Sequence, residues 1–269
     1  SAGECIAGAS LVVVSVPSVF LVPTLIPLVP MLEKDAILLN VAKGFAPVGH
    51  ELIPTFLGRL APGHPCVHLA GPAIANELAR GVAAFITLAA EDEIDARRVA
   101  NWFAGSLFIP TTTADVVGAA LGGIFKNVYA ILLGCLDALS GGARNLEAAA
   151  VTACLDEMVK IAAACGGQCA TLYSMAGLGD LVATGFSDES HNRKFGRLLA
   201  SGKSVAEIEK ESGWLPEGAR ATAAVCELAR DHNVVAPLAE WVLQVLGGGV
   251  IPSLDGLMLT LRSTQISEI

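Results

Sequence analysis

The chain has 269 residues, long enough for one large domain or two small ones and for a sizeable core. Hydrophobic residues make up 53% and glycine adds 28 residues, while charged residues reach only 16% against roughly 25% in an ordinary soluble domain, which excludes a disordered chain. The net charge of −9 and the lack of any basic run exclude a nucleic-acid groove or a polybasic lipid anchor and leave small molecules or protein partners.

From Cys5 to Leu32 there is no charged residue, a span longer than the about 20 residues of a membrane helix. Pro17, Pro23, Pro27 and Pro30 interrupt it, and Leu11 to Val16 is a β-branched run, so it reads as a buried strand followed by a loop or short helix. The N-terminal flank has no basic side chain, which argues against a secretory signal. Further strand-like runs are Ala36 to Val41, Val67 to Ala70, Phe85 to Ala89 and Leu107 to Ile109, with helical connections at Ile74 to Ala79 and Arg97 to Phe103. From Ala114 onward the periodicity is helical, over 115–139, 147–165, 191–200, 205–212, 218–231 and 237–246. The expected fold is a partial Rossmann-type parallel sheet over residues 1–113, followed by a helical domain over 114–269. The boundary falls near Thr111-Thr112-Thr113, and the cleft between the parts is the default site. The seven scattered cysteines form no C-x-x-C pair and read as buried, reduced thiols in a cytoplasmic protein. His50, His64, His68 and His232 have no metal-ligand spacing and read as surface or satisfied polar residues.

The segment Asp115 to Asn127 carries the most chemistry. On a helix, Gly118, Gly122 and Lys126 fall on one stripe, with Gly123 and Asn127 beside it. Glycines in a helix interior each cost up to about 1 kcal/mol relative to alanine, so something requires their small size; they leave room beside Lys126. Desolvation in so apolar a helix lowers the pKa of a lysine toward the range useful for proton transfer. The competing reading is a snorkelling lysine at a tight helix contact. In Gly177-Leu178-Gly179-Asp180-Leu181 a flexible turn presents one carboxylate, which either caps a helix or reaches Lys126 and makes a site with it. Ser190, His191 and Asn192 lie at a helix start with Arg193, Lys194 and Arg197 nearby, an arrangement suited either to an anion or to simple capping. Lys43-Gly44 and Gly71-Pro72 each follow a strand, where an open α/β sheet places its ligands.

Taken in order, Val16-Pro17-Ser18, Ala42-Lys43-Gly44, Gly71-Pro72-Ala73-Ile74-Ala75, Leu121 to Asn127, Gly177 to Leu181, Asn192 to Gly196 and Glu217-Gly218 resemble the landmarks of the NAD(P)-dependent glycerol-3-phosphate dehydrogenases over essentially the whole chain. The resemblance implies a Rossmann domain and a helical substrate domain that interconvert dihydroxyacetone phosphate and sn-glycerol 3-phosphate with NAD or NADP. It makes Lys126 the catalytic acid/base, with Lys43 and Asp180 as partners in catalysis. It assigns substrate binding to Lys43, Gly71, Ala73, Lys126, Asn127, Asp180, Ser190, His191 and Asn192, and cofactor binding to Lys43, Ala75, His191, Leu215 and Glu217. No metal is implied. A homodimer is compatible with the apolar helical surface.

Two departures stand out. His191 occupies the position of a family arginine, so an imidazole replaces a bidentate guanidinium and phosphate affinity should suffer unless Arg193 or Arg197 swings in. The family's opening G-x-G-x-x-G turn, which cradles the pyrophosphate, does not occur, and Leu11 to Val16 resembles the family's fourth sheet strand. The chain therefore reads as a fragment, with an apolar sheet edge and a tendency to associate. The alternative reading is a non-catalytic relative that binds a phosphorylated metabolite or a protein partner. A reductase of another small hydroxy compound is a third.

Overall fold

The computed structural model describes residues 1–47 and 49–265. The short apolar runs form a sheet of five strands, β1 Leu11–Val14, β2 Ile37–Asn40, β3 Cys66–Ala70, β4 Ala84–Ala89 and β5 Phe108–Thr113, arranged side by side in chain order. β1/β2, β2/β3 and β4/β5 are parallel, as read from the sequence; β3 and β4 are antiparallel. The connection between β3 and β4, residues 71–83, holds one five-residue helix, Ala75–Ala79. β5 runs through Thr111–Thr113, because three β-branched residues continue the pairing with Thr87–Ala89.

The helices in chain order are α1 Ala2–Ile6, α2 Leu21–Leu25, α3 Ile53–Leu60, α4 Ala75–Ala79, α5 Glu93–Trp102, α6 Val116–Ser140, α7 Arg144–Ala164, α8 Cys169–Leu172, α9 Asp180–Phe186, α10 His191–Ala200, α11 Val205–Ser212, α12 Glu217–Asp231, α13 Pro237–Leu246 and α14 Leu254–Gln265. A π-helical turn, Met175–Gly179, leads directly into α9. Side chains alternate across the sheet: Val67 and Leu69 of β3 pack with Ala96 and Val99 of α5, whereas Ala70 meets Ala119 of α6 and Ala176 of the π-turn. α5 starts four residues before the sequence reading because Asp92 caps it, accepting from the Ile94 N–H at 2.9 Å.

α6 is the axis of the second half, buried from Gly118 to Leu136 and packed against α7, α9, α10, α12 and α13. By length and apolarity it could cross a membrane, yet 89% of its most apolar window is buried inside the protein. Asp115 caps its start, accepting from the Gly118 N–H at 2.8 Å, and left-handed Gly141 (φ 64°) ends it. α6 and α10 touch backbone to backbone, Gly134 against the Arg193 carbonyl and Gly196 against that of Ile131, where any Cβ would collide. All seven cysteines are free: Cys135, Cys154 and Cys226 are buried as read, whereas Cys5 and Cys169 are exposed on short helices.

Candidate active site

Three elements deliver three charged groups to one point. Lys126 comes from the middle of α6, Asp180 is the first residue of α9, and Lys43 lies on the loop leaving the carboxyl end of β2. Lys126 Nζ donates to Asp180 Oδ1 at 2.6 Å and Lys43 Nζ to Asp180 Oδ2 at 2.9 Å. Asp180 is therefore a shared counter-ion, and the capping alternative is excluded by where its oxygens go. Its side chain is 1% exposed, against 11% for Lys126 and 19% for Lys43. Thr184, one helical turn on, adds a weaker contact to Oδ1 at 3.5 Å; this i, i+4 spacing from Asp180 was available in the sequence.

The glycines of α6 make this convergence possible, though not in the way the sequence suggested. A Cβ on Gly122 would collide with the Ala176 carbonyl, so the space admits the backbone of the π-turn that carries Asp180. A Cβ on Gly123 would sit 3.6 Å from Lys43 Cδ, so that position receives the aliphatic stem of Lys43. Gly118 packs against its own cap, Asp115.

Burial and the Lys43 ammonium pull Lys126 down to about 8, against the attraction of Asp180. Burial opposes the charge on Lys43 too, but the Asp180 carboxylate outweighs it and raises that lysine. Asp180, despite a burial effect in the other direction, is lowered by Lys43 and Lys126. Two ammonium groups on one carboxylate leave a surplus positive charge, and the more enclosed lysine gives up its proton first.

Beside Lys126 opens a cavity of about 590 Å³. Its floor is fastened by a ring of hydrogen bonds across α6, α10 and α12. The Gly218 N–H donates to Asn192 Oδ1 at 2.9 Å, Asn192 Nδ2 to Asn127 Oδ1 at 3.0 Å, and Asn127 Nδ2 to Glu217 Oε2 at 3.3 Å. Ser190 caps α10, accepting from the Arg193 N–H at 3.2 Å, and with His191 and Asn192 it lines the same cavity. Ala75, Leu215 and Glu217 line it as well. Gly71 (φ 100°) lies off the cavity, its Cβ position 3.4 Å from the Met175 carbonyl, and Ala73 packs on the sheet core. Lys43 and Asp180 meet the cavity through Lys126.

Arg193 and Arg197 do not replace the missing guanidinium. Arg193 is 7% exposed and bound to Asp137 at 3.0 Å, and Arg197 binds Asp137 at 2.5 Å and Asp188 at 2.9 Å. They anchor α10 and the loop before it to α6. Trp214, which sequence reasoning missed, stands edge-on to His191 with ring centroids 4.5 Å apart. No motif singled it out; its place just before Leu215 was the available signal.

The chain as a whole resembles proteins already known. Residues 1–96 match the family domain described as the NAD-dependent glycerol-3-phosphate dehydrogenase N-terminus, and residues 115–254 match the corresponding C-terminus. The chain is 33% identical to glycerol-3-phosphate dehydrogenase [NAD(P)+] of Desulfitobacterium hafniense over 97% of its length and 74% of that relative. It is 37% identical to the protein of the same name from Anaeromyxobacter dehalogenans, over 97% of its length and 80% of the relative. The crystal structure of glycerol-3-phosphate dehydrogenase from Coxiella burnetii superposes with a TM-score of 0.87 at 27% identity, covering 98% of this chain and 79% of that one. Two domain matches in order, relatives above 30% identity and a shared fold leave one assignment: the chain belongs to the NAD-dependent glycerol-3-phosphate dehydrogenase family.

Proposed function

We propose that the cavity beside Lys126 is where this oxidoreductase interconverts dihydroxyacetone phosphate and sn-glycerol 3-phosphate with NAD or NADP. The observation that carries the reading is the Lys43–Asp180–Lys126 cluster, a proton donor tuned to about 8 on the wall of a cavity with a helix start opposite. The residues present fit the reactive end of a dinucleotide: Ala75 and Leu215 offer apolar surface for a flat ring, and Glu217 and His191 offer polar groups at its rim. The nicotinamide, when bound, supplies the hydride. Lys126 Nζ gives a proton to the substrate carbonyl oxygen as the alkoxide develops, and takes it back from the hydroxyl in the reverse direction. A donor near 8 holds its proton at neutral pH without binding it too tightly to transfer. Asp180 fixes the direction of the Lys126 ammonium, and Lys43 adds positive charge toward the developing oxyanion. Ser190, His191 and Asn192 receive the substrate phosphate at the start of α10.

The test is oxidation of NADH or NADPH by dihydroxyacetone phosphate, with Lys126→Ala as the control; undiminished turnover in that variant would refute the role. A second reading, a binding protein without turnover, draws on His191 and on the engagement of Arg193 and Arg197 elsewhere. Calorimetry with glycerol 3-phosphate, with and without dinucleotide, separates the two. A cytoplasmic location is supported by seven free thiols. A homodimer is supported by exposed Val82, Phe85 and Ile109 near the β4–β5 edge, and sedimentation would test it.

A further inference from the structure

A buried titratable side chain lies beside the cluster without entering the chemistry above. His68, on β3, is 2% exposed, and its Nδ1 is 2.8 Å from Nδ2 of Asn40, its register partner on β2. The sequence reading took His68 as a satisfied or surface residue. It is buried, and only one of its ring nitrogens is paired: Nε2 has no hydrogen-bond partner among the described residues.

Asn40 is fully buried and grips the next turn of chain: Nδ2 donates to the Ala42 carbonyl at 3.1 Å, and Oδ1 accepts from the Ala42 N–H at 3.2 Å. Turning the amide over would set oxygen against oxygen and N–H against N–H, so Ala42 fixes its orientation. An amide nitrogen only donates; Nδ1 of His68 must therefore accept, and the ring proton sits on Nε2. Protonating Nδ1 would face two donors across 2.8 Å. Burial and the Lys43 ammonium together push the imidazole down to about 3, although the Asn40 backbone and, less strongly, Asp180 work in the other direction.

We propose that His68 is a positioning residue: as the neutral Nε2–H tautomer it locks the Asn40 amide onto both backbone groups of Ala42, and so aims the following side chain, Lys43, at Asp180. The charged groups at this point are Lys43, Asp180 and, beyond them, Lys126 and Glu217. Because Lys43 helps to pull Lys126 down, releasing Lys43 from its aim lets Lys126 rise toward the ordinary lysine range. Positioning by His68 is thus readable in the pH profile, which a purely structural role would leave in place.

The inference rests on the proposed function only for its kinetic arm. The first measurement needs no substrate: in histidine-labelled protein the ring-nitrogen NMR shifts of His68, followed from about pH 5 to about pH 9, should report the neutral Nε2–H form throughout. An Nδ1–H tautomer, or a protonation midpoint inside that range, would overturn the proposal. The second compares His68→Leu with His68→Gln, whose amide oxygen can still accept from Asn40. In the leucine variant the alkaline limb of turnover should move up by about half a pH unit and kcat should fall ~10-fold, and glutamine should restore both. An unmoved limb in the leucine variant, or a glutamine variant that shifts just as far, would refute it. Should His68→Leu fail to fold, Asn40→Ala, which removes the same grip on Ala42, is held to the same limb shift. If the NMR result holds while no variant of the chain turns over, the failure lies with the proposed function and not with the tautomer.

Discussion

Replacing Asp180 with asparagine removes the shared anion of two enclosed ammonium groups. Breaking a buried ion pair usually costs about 3–5 kcal/mol, because a charge is left without compensation. Here a lysine has an escape, since it can shed its proton. Lys126 has already moved from 10.5 to about 8, equivalent to roughly 3 kcal/mol at 1.36 kcal/mol per pKa unit. At pH 7 the most that burying this amine can cost is the work of deprotonating it from 10.5, about 5 kcal/mol. Loss of Asp180 can therefore add only about 1.4 kcal/mol through Lys126, the one pKa unit left between about 8 and pH 7. Lys43 is the more exposed of the two, so rotating its ammonium into water limits its own share. The expected destabilisation of Asp180→Asn, read by urea denaturation at pH 7 without ligand, is about 2–3 kcal/mol. Activity should respond differently. With the carboxylate gone, Lys126 loses its proton below neutrality, and the pH above which dihydroxyacetone phosphate reduction fails should move from about 8 to below 7. A limb that stays near 8, or a stability loss well beyond 5 kcal/mol, would refute the picture of two lysines balanced on one carboxylate.

Stability should also rise with pH over an alkaline window. The folded-state pKa of Lys126 is below its ordinary value, so between about 8 and 10.5 the unfolded chain binds more protons, and wild-type stability should climb by up to roughly 3 kcal/mol. The raised pKa of Lys43 takes stability away only above 10.5, and denaturation at about pH 8 and about pH 10 should show the gain. Gly122→Ala drives a methyl into the Ala176 carbonyl, where no rotamer can relieve it; about 1–3 kcal/mol should be lost in thermal melts, together with a weakened Lys126–Asp180 contact seen as lower kcat. His191→Arg restores a permanent, bidentate cation at the start of α10 and should tighten glycerol 3-phosphate ~10-fold by calorimetry; unchanged affinity would place the phosphate elsewhere.

The parts of the site that could be read from sequence are those where composition created a local problem. A single lysine in a helix as apolar as α6 reads either as a proton-transfer group or as a snorkelling side chain, and Asp180 in its apolar turn either as a helix cap or as the partner of Lys126; the fold brings the two into contact. Lys43 was harder: it lies 137 residues from Asp180, and a Lys-Gly dipeptide after a strand says nothing about which carboxylate it meets. The direction of β4 was hidden because alternation of side chains is the same whichever way a strand runs. α3 and α14 escaped notice because Pro54, Gly58 and Gly256 break their apolar periodicity. The π-turn is the deepest case. Its five residues adopt that form against α6, where Gly122 lets the Ala176 carbonyl approach, so the signal lies in a residue more than fifty positions upstream. That glycine joins the two readings of α6, as core and as catalytic helix. The apolarity that gives α6 the profile of a membrane span desolvates Lys126, and the missing methyl at Gly122 admits the turn that brings the compensating carboxylate. A larger residue at Gly122 would keep the desolvation and lose the compensation, which is why the cost of that single methyl should appear in the proton affinity of Lys126 as well as in the packing of the core.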